Sequence, residues 1–157
     1  MSGRPYTVSF SATAVTAAVD LFELTPADDK PIEVYGIFVA QSSDFGDAQA
    51  EQIGFRVIRG HTTSGSGGGT PTPRPLNRSD TAAGFTAETC NTTAASAGTA
   101  IDLHADVINM QAGYGMFLPE GSEWSASQGD TTLVVRLIAA PADSLTISGT
   151  LYVRESG

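Results

Sequence analysis

The chain has 157 residues, of which 41% are hydrophobic and only 16% charged, and its 17 acidic against 8 basic side chains give a formal net charge of −9. Binding to a phosphate backbone or an anionic membrane runs on clustered Lys and Arg, so this balance points away from nucleic acid and from membrane as partners. A single cysteine, Cys90, rules out an intramolecular disulfide and any multi-cysteine zinc site.

The length fits one core, and a single domain over 1–157 is expected. A chain of this size buries roughly 68–70% of its unfolded surface and needs no metal or disulfide to hold together. Gly, Ala, Ser and Thr take the place of the missing charge, and Lys30 is the only lysine. Such small side chains suit sheets and turns, whereas solvated helices would need Lys, Glu and Arg to clothe them. No run of about 18 apolar residues is present, and no apolar stretch follows Met1 as in a signal peptide. The protein is therefore expected to be soluble.

Apolar residues recur at period two along most of the chain. Tyr6, Val8 and Phe10 alternate with Thr7, Ser9 and Ser11 in a half-buried first strand. A second covers 19–24 and stops at Thr25-Pro26. A third, over 32–40, is apolar on both faces and reads as central. Residues 44–52 form the one helix-friendly stretch, a loop or a short helix, before a fourth strand over 53–59. Residues 60–80 then change character: a flexible Gly/Ser tract, Gly65-Ser66-Gly67-Gly68-Gly69, is expected to run into the polyproline-like Thr70-Pro71-Thr72-Pro73-Arg74-Pro75. This is an extended Gly/Pro-rich loop, an excursion from one domain whose length calls for a contact or a function.

Further strands are expected over 85–90, over 100–110 with a break near Ala105-Asp106, over 114–118, over 131–138 and over 145–154. Eight or nine strands at this spacing predict an all-β fold, an antiparallel β-sandwich that is jelly-roll-like. Its core is expected to centre on Val34, Ile37, Phe38, Phe55, Val57, Leu133, Val135, Leu137, Ile147 and Leu151, with Arg136 on the outward face.

No motif organises a catalytic site, and neither a cofactor nor a metal is expected. A Ser or Cys nucleophile needs a nearby base, and His61 and His104 are the only histidines. Neither accompanies a Gly-x-Ser-x-Gly elbow. The glycine tract is followed by Thr70-Pro71 rather than by the Gly-Lys-Ser/Thr that opens a phosphate-binding helix. Asp44-Phe45-Gly46-Asp47 lacks the spacing of a calcium loop and reads as solvated turn acids. Trp124, Tyr114 and Phe117 could make a sugar platform, but a core or interface role suits aromatics in a sandwich better. The candidate interface residues are Pro71, Pro73, Arg74, Pro75 and Arg78, since arginine forks pair with a partner's carboxylates.

Several segments resemble a group of small tailed-phage and prophage virion-associated proteins. They are Tyr6-Thr7-Val8-Ser9-Phe10, Gln41-Ser42-Ser43-Asp44-Phe45-Gly46-Asp47-Ala48, the tract from Gly65 to Pro73, Asn91-Thr92-Thr93, and the stretch Ala139-Ala140-Pro141-Ala142-Asp143-Ser144-Leu145 continuing to Leu151. The resemblance implies a non-enzymatic structural protein, a capsid decoration (cement) protein made in the host cytoplasm and carried on the virion capsid surface. It implies a homotrimer seated on the phage major capsid protein, and carries over no catalytic residue. Two other classes stay open: a carbohydrate-binding module with its platform around Trp124, and a cupin-like enzyme in which His61 and His104 converge with a carboxylate on a metal.

Overall fold

The computed structural model describes residues 3–43 and 51–157. Among these the alternating segments become strands, in chain order β1 (Arg4–Val15), β2 (Asp20–Thr25), β3 (Ile32–Gln41), β4 (Gln52–Arg59), β5 (Arg74–Pro75), β6 (Thr86–Asn91), β7 (Ile101–Asn109), β8 (Tyr114–Phe117), β9 (Trp124–Ala126), β10 (Leu133–Leu137) and β11 (Leu145–Glu155). A single 3-10 turn, Gln128–Asp130, is the helical element among the described residues. The loop or short helix expected over 44–52 falls mostly on 44–50, outside the described residues, and Gln52 opens β4.

Two antiparallel sheets pack face to face. The six-stranded sheet runs β5-β1-β11-β3-β8 with β9 also on β3, and the five-stranded sheet runs β6-β2-β10-β4-β7. Setting aside β5, β6 and β9, the remaining eight strands are ordered β1-β11-β3-β8 against β2-β10-β4-β7, the winding of a jelly roll. Eleven strands form where eight or nine were expected, because β5 and β9 are two and three residues long and carry no alternation to read.

Nine of the ten expected core residues are buried: Val34, Ile37, Phe55, Val57, Leu133, Val135, Leu137, Ile147 and Leu151. Phe38 is not; it is 38% exposed. The register sets Phe38 opposite Thr150, whose neighbour Leu151 points inward opposite Ile37. A strand that is apolar on both faces gives no period-two signal, and alternation sends Phe38 out once Ile37 and Val39 turn in.

The 60–80 segment is held along the body of the domain and does not project from it. Thr63 bridges Ser96, Ser66 bridges Thr93 and Gly69 bridges Thr89, so the glycine tract and residues 91–99 form a flap over the five-stranded sheet. Beneath it Ile58 and Val134, on the outer face, are buried. The chain then crosses to the other sheet, where Arg74 pairs with Thr7 and Pro75 with Tyr6. Composition alone suggested a flexible tract; in the fold the lack of side chains lets its backbone lie directly against β6.

Three buried carboxylates fix these loops. Asp20 accepts the Ala95 N–H, Glu23 accepts the Gly65 N–H, and Glu155 accepts the Gly84 and Phe85 N–H groups. Each gives an irregular backbone segment a charge-assisted bond that replaces water.

Candidate interaction surface

Register across the six-stranded sheet builds a continuous outer face. Arg74, Thr7, Tyr152, Gly36 and Phe117 lie side by side on five strands, and Ser9, Thr150, Phe38 and Gly115 form the next row. Directly opposed residues share a face, so both rows point outward while Val8, Leu151 and Ile37 fill the core.

Aromatic rings gather at the β3–β8 end. Phe117 lies 5.1 Å from Phe38 and 5.2 Å from Tyr152, and Tyr35 lies 5.9 Å from Tyr152. A bulge between Tyr152 and Val153 brings Tyr35 into this group, and the Arg154 guanidinium sits 4.7 Å from its ring centre. Burial pushes the Tyr35 phenol up, with Arg154 opposing. Two glycines make the arrangement fit: a Cβ at Gly36 would meet the Phe117 ring at 2.6 Å, and one at Gly115 the Phe38 ring at 2.4 Å. Phe117 remains 58% exposed. Beside the rings runs a shallow groove of about 560 Å3 lined by Ser9, Ser11, Phe38, Gly115, Ser148 and Thr150.

The two outer faces therefore differ. On the five-stranded sheet the chain's own flap covers Ile58 and Val134 and leaves the aliphatic Val107 and Ile138 exposed at the β4–β7 end, whereas on the six-stranded sheet the open end is aromatic. Contiguous exposed apolar surface of this kind marks contact sites.

No family model, curated protein or solved structure matches this chain.

The expected site residues are distributed as follows. Arg74 and Arg78 are exposed, Pro71 and Pro75 half-buried, and Pro73 buried against the body. Among the described residues, Arg4, Arg74 and Arg78 have no acidic partner; Arg4 and Arg74 lie on the paired strands β1 and β5, and Arg78 in the turn that follows β5. The other five basic side chains are paired: Lys30 with Glu155, Arg56 with Asp102, Arg59 with Asp130, Arg136 with Asp20, and Arg154 with Glu33 and Glu123.

The sugar platform required by the carbohydrate-binding alternative does not form around Trp124, which takes the core role favoured for it. Trp124 is buried, its ring 5.1 Å from His104. Tyr114 is half-buried and donates to Asp106 at 2.9 Å. Only Phe117 of the three reaches the open face. Its companions there, Tyr35, Phe38 and Tyr152, were missed by sequence reasoning, although glycines inside two strands are a signal of close approach by a neighbour.

His61 and His104 do not meet. His104 is paired with Val57 and packs on Phe55, on the core side of the five-stranded sheet. His61 lies on the outer side, its Nε2 3.5 Å from Arg136 and its Nδ1 3.1 Å from the Ala97 carbonyl. Among the described residues no three His, Cys, Asp or Glu side chains are grouped to hold a metal ion. The geometry needed by the cupin-like alternative is thus not met.

Proposed function

We propose that this protein is a non-enzymatic structural component of a phage virion, docking on the capsid exterior through the outer face of its six-stranded sheet. The observation that carries this reading is the aromatic cluster of the six-stranded sheet: Phe38 and Phe117 stand exposed beside Tyr35 and Tyr152, whereas on the other sheet the flap buries Ile58 and Val134 and leaves the aliphatic pair Val107 and Ile138 open at the β4–β7 end. Sequence resemblance to virion-associated proteins supplies the kind of partner. Assembly as a trimer is supported by the arginines of the β1–β5 edge, which would meet carboxylates of a neighbouring copy in a chain of net charge −9.

The test is copy number in purified virions together with capsid binding of Phe117→Asp. The expected result is a copy number comparable with the major capsid protein and loss of binding in a variant that still folds. Absence from virions, or unchanged capsid binding by Phe117→Asp, would overturn the reading. The aromatic face with its Ser/Thr groove also favours a second reading, a carbohydrate-binding module. Glycan-array binding that Phe117→Asp abolishes, with no affinity for capsids, would select it.

A further inference from the structure

We propose that a second site, the cleft between residues 70–73 and β6, takes an extended basic polypeptide segment as an added strand. It goes beyond the docking face, shares no residue with it, and stands or falls separately.

Gly69 and Thr89 exchange two backbone hydrogen bonds of 2.9 Å, extending the five-stranded sheet by one residue beyond β6. Pro71 and Pro73 have no N–H to continue that pairing, and the chain swings across to β1. Strand geometry repeats every two residues, so Ala87 turns its N–H and C=O toward the same side as Thr89. Among the described residues nothing bonds them there, although Ala87 is only 5% exposed. They sit in a cleft of about 450 Å3 walled by Pro71, Pro73 and Phe85, with Ser64 and Glu88 at one end.

An alternating donor and acceptor on a strand edge is matched by another polypeptide backbone in extended form. An apolar side chain of that segment would enter between Pro71, Pro73 and Phe85. Among the described residues Glu88 is the only charged one lining the cleft, and the chain carries −9 overall, so the segment would carry Lys or Arg beside its apolar residue.

The experiment titrates the full chain with blocked hexapeptides alternating valine and lysine and follows backbone amide resonances. Expected are saturable shifts at Ala87 and Glu88, about tenfold weaker binding when the valine nitrogens are methylated, and weaker binding when lysine is replaced by glutamate. Ala87→Pro removes only an outward N–H of an edge strand and should weaken binding similarly. If that variant misfolds, the methylated peptide on the unaltered protein decides. Equal affinity for the methylated peptide, shifts confined to the Phe117 face, or no shift at millimolar peptide would each overturn the proposal.

Discussion

Arg136 donates to both carboxylate oxygens of Asp20, from Nε to Oδ1 at 2.5 Å and from Nη2 to Oδ2 at 3.1 Å. The Asp20 side chain is fully buried and that of Arg136 is 22% exposed. The same two residues hold the flap, because Asp20 accepts the Ala95 N–H and Arg136 donates to the Ala95 carbonyl, each at 2.8 Å. Removing one partner of a buried pair leaves an uncompensated charge, so Asp20→Ala should destabilise the fold by about 3–5 kcal/mol. Replacing both together, Asp20→Leu with Arg136→Met, should recover much of that loss. Urea unfolding measures both; a loss below about 1 kcal/mol for Asp20→Ala, as at surface sites, would show that the pair does not hold the flap.

Two phenylalanines separate core from open face. Phe55 is 1% exposed within the core and Phe38 is 38% exposed outside it. Phe55→Ala should cost about 3–5 kcal/mol by the usual cavity and transfer terms. Phe38→Ala should cost no more than about 1 kcal/mol, since its ring loses only neighbours on an open face. Equal losses would mean that the outer face is packed as tightly as the core.

These contrasts mark what the residues alone could reveal. Strands such as β11, with strict alternation from Leu145 to Val153, were legible because one face is core and the other solvent. Phe38 was misplaced because an aromatic outer face erases that difference. The flap was read as a mobile tract because glycine composition is the same for a flexible linker and for a backbone pressed against a strand. Of its anchors, Asp20 opens β2 and Glu23 sits within it, both among apolar residues, and their partners are distant in sequence: Ala95 lies 75 residues from Asp20, and Gly65 lies 42 from Glu23. The candidate interface arginines were legible as residues, but the pairing that sets Arg74 on a strand beside that of Arg4 exists only in the folded sheet.

Tyr114 and Asp106 give opposite pH signatures. Burial first, and then the bond to Asp106, pushes the Tyr114 phenol up to about 12. The unfolded phenol ionises near 10, so between roughly pH 10 and 12 the unfolded chain holds fewer protons and stability falls as pH rises. Tyr114→Phe should flatten that alkaline decline. Asp106 is held below the usual carboxylate range, chiefly by the Val107 N–H and next by the Tyr114 hydroxyl. Its contribution is present at neutral pH and is lost as pH falls below about 4. In Tyr114→Phe the Asp106 carboxyl should titrate at higher pH, which carbon NMR of its side chain reads directly; an unmoved titration would mean that the hydroxyl contributes nothing.

Cys90 lies buried in the core, and burial pushes its thiol up to about 12. Only the thiolate attacks electrophiles, so at pH 8 the native protein should resist iodoacetamide and label only as fast as it unfolds. Rapid labelling, faster than unfolding measured by fluorescence, would place the thiol in a solvent-reached position.

Gly68 tests whether the flap is bound to the sheet or merely lies near it. A Cβ there would fall 2.0 Å from the Thr89 carbonyl oxygen and 2.7 Å from the Cys90 carbonyl carbon, both backbone atoms that cannot yield as a side-chain end can. Gly68→Ala should therefore push residues 65–69 off β6 and break the paired bonds between Gly69 and Thr89. The loss should be about 2 kcal/mol, and it should be local. Amides of Ser66, Gly69 and Thr93 should exchange faster, while those of Leu133–Leu137 keep the protection of the central strand. Gly129→Ala serves as the control, because a Cβ there meets only Ser127 Oγ, at 3.9 Å, and its stability should change by less than about 0.5 kcal/mol. If Gly68→Ala leaves exchange at Ser66 and Gly69 unaltered, those amides are protected by something other than contact with β6.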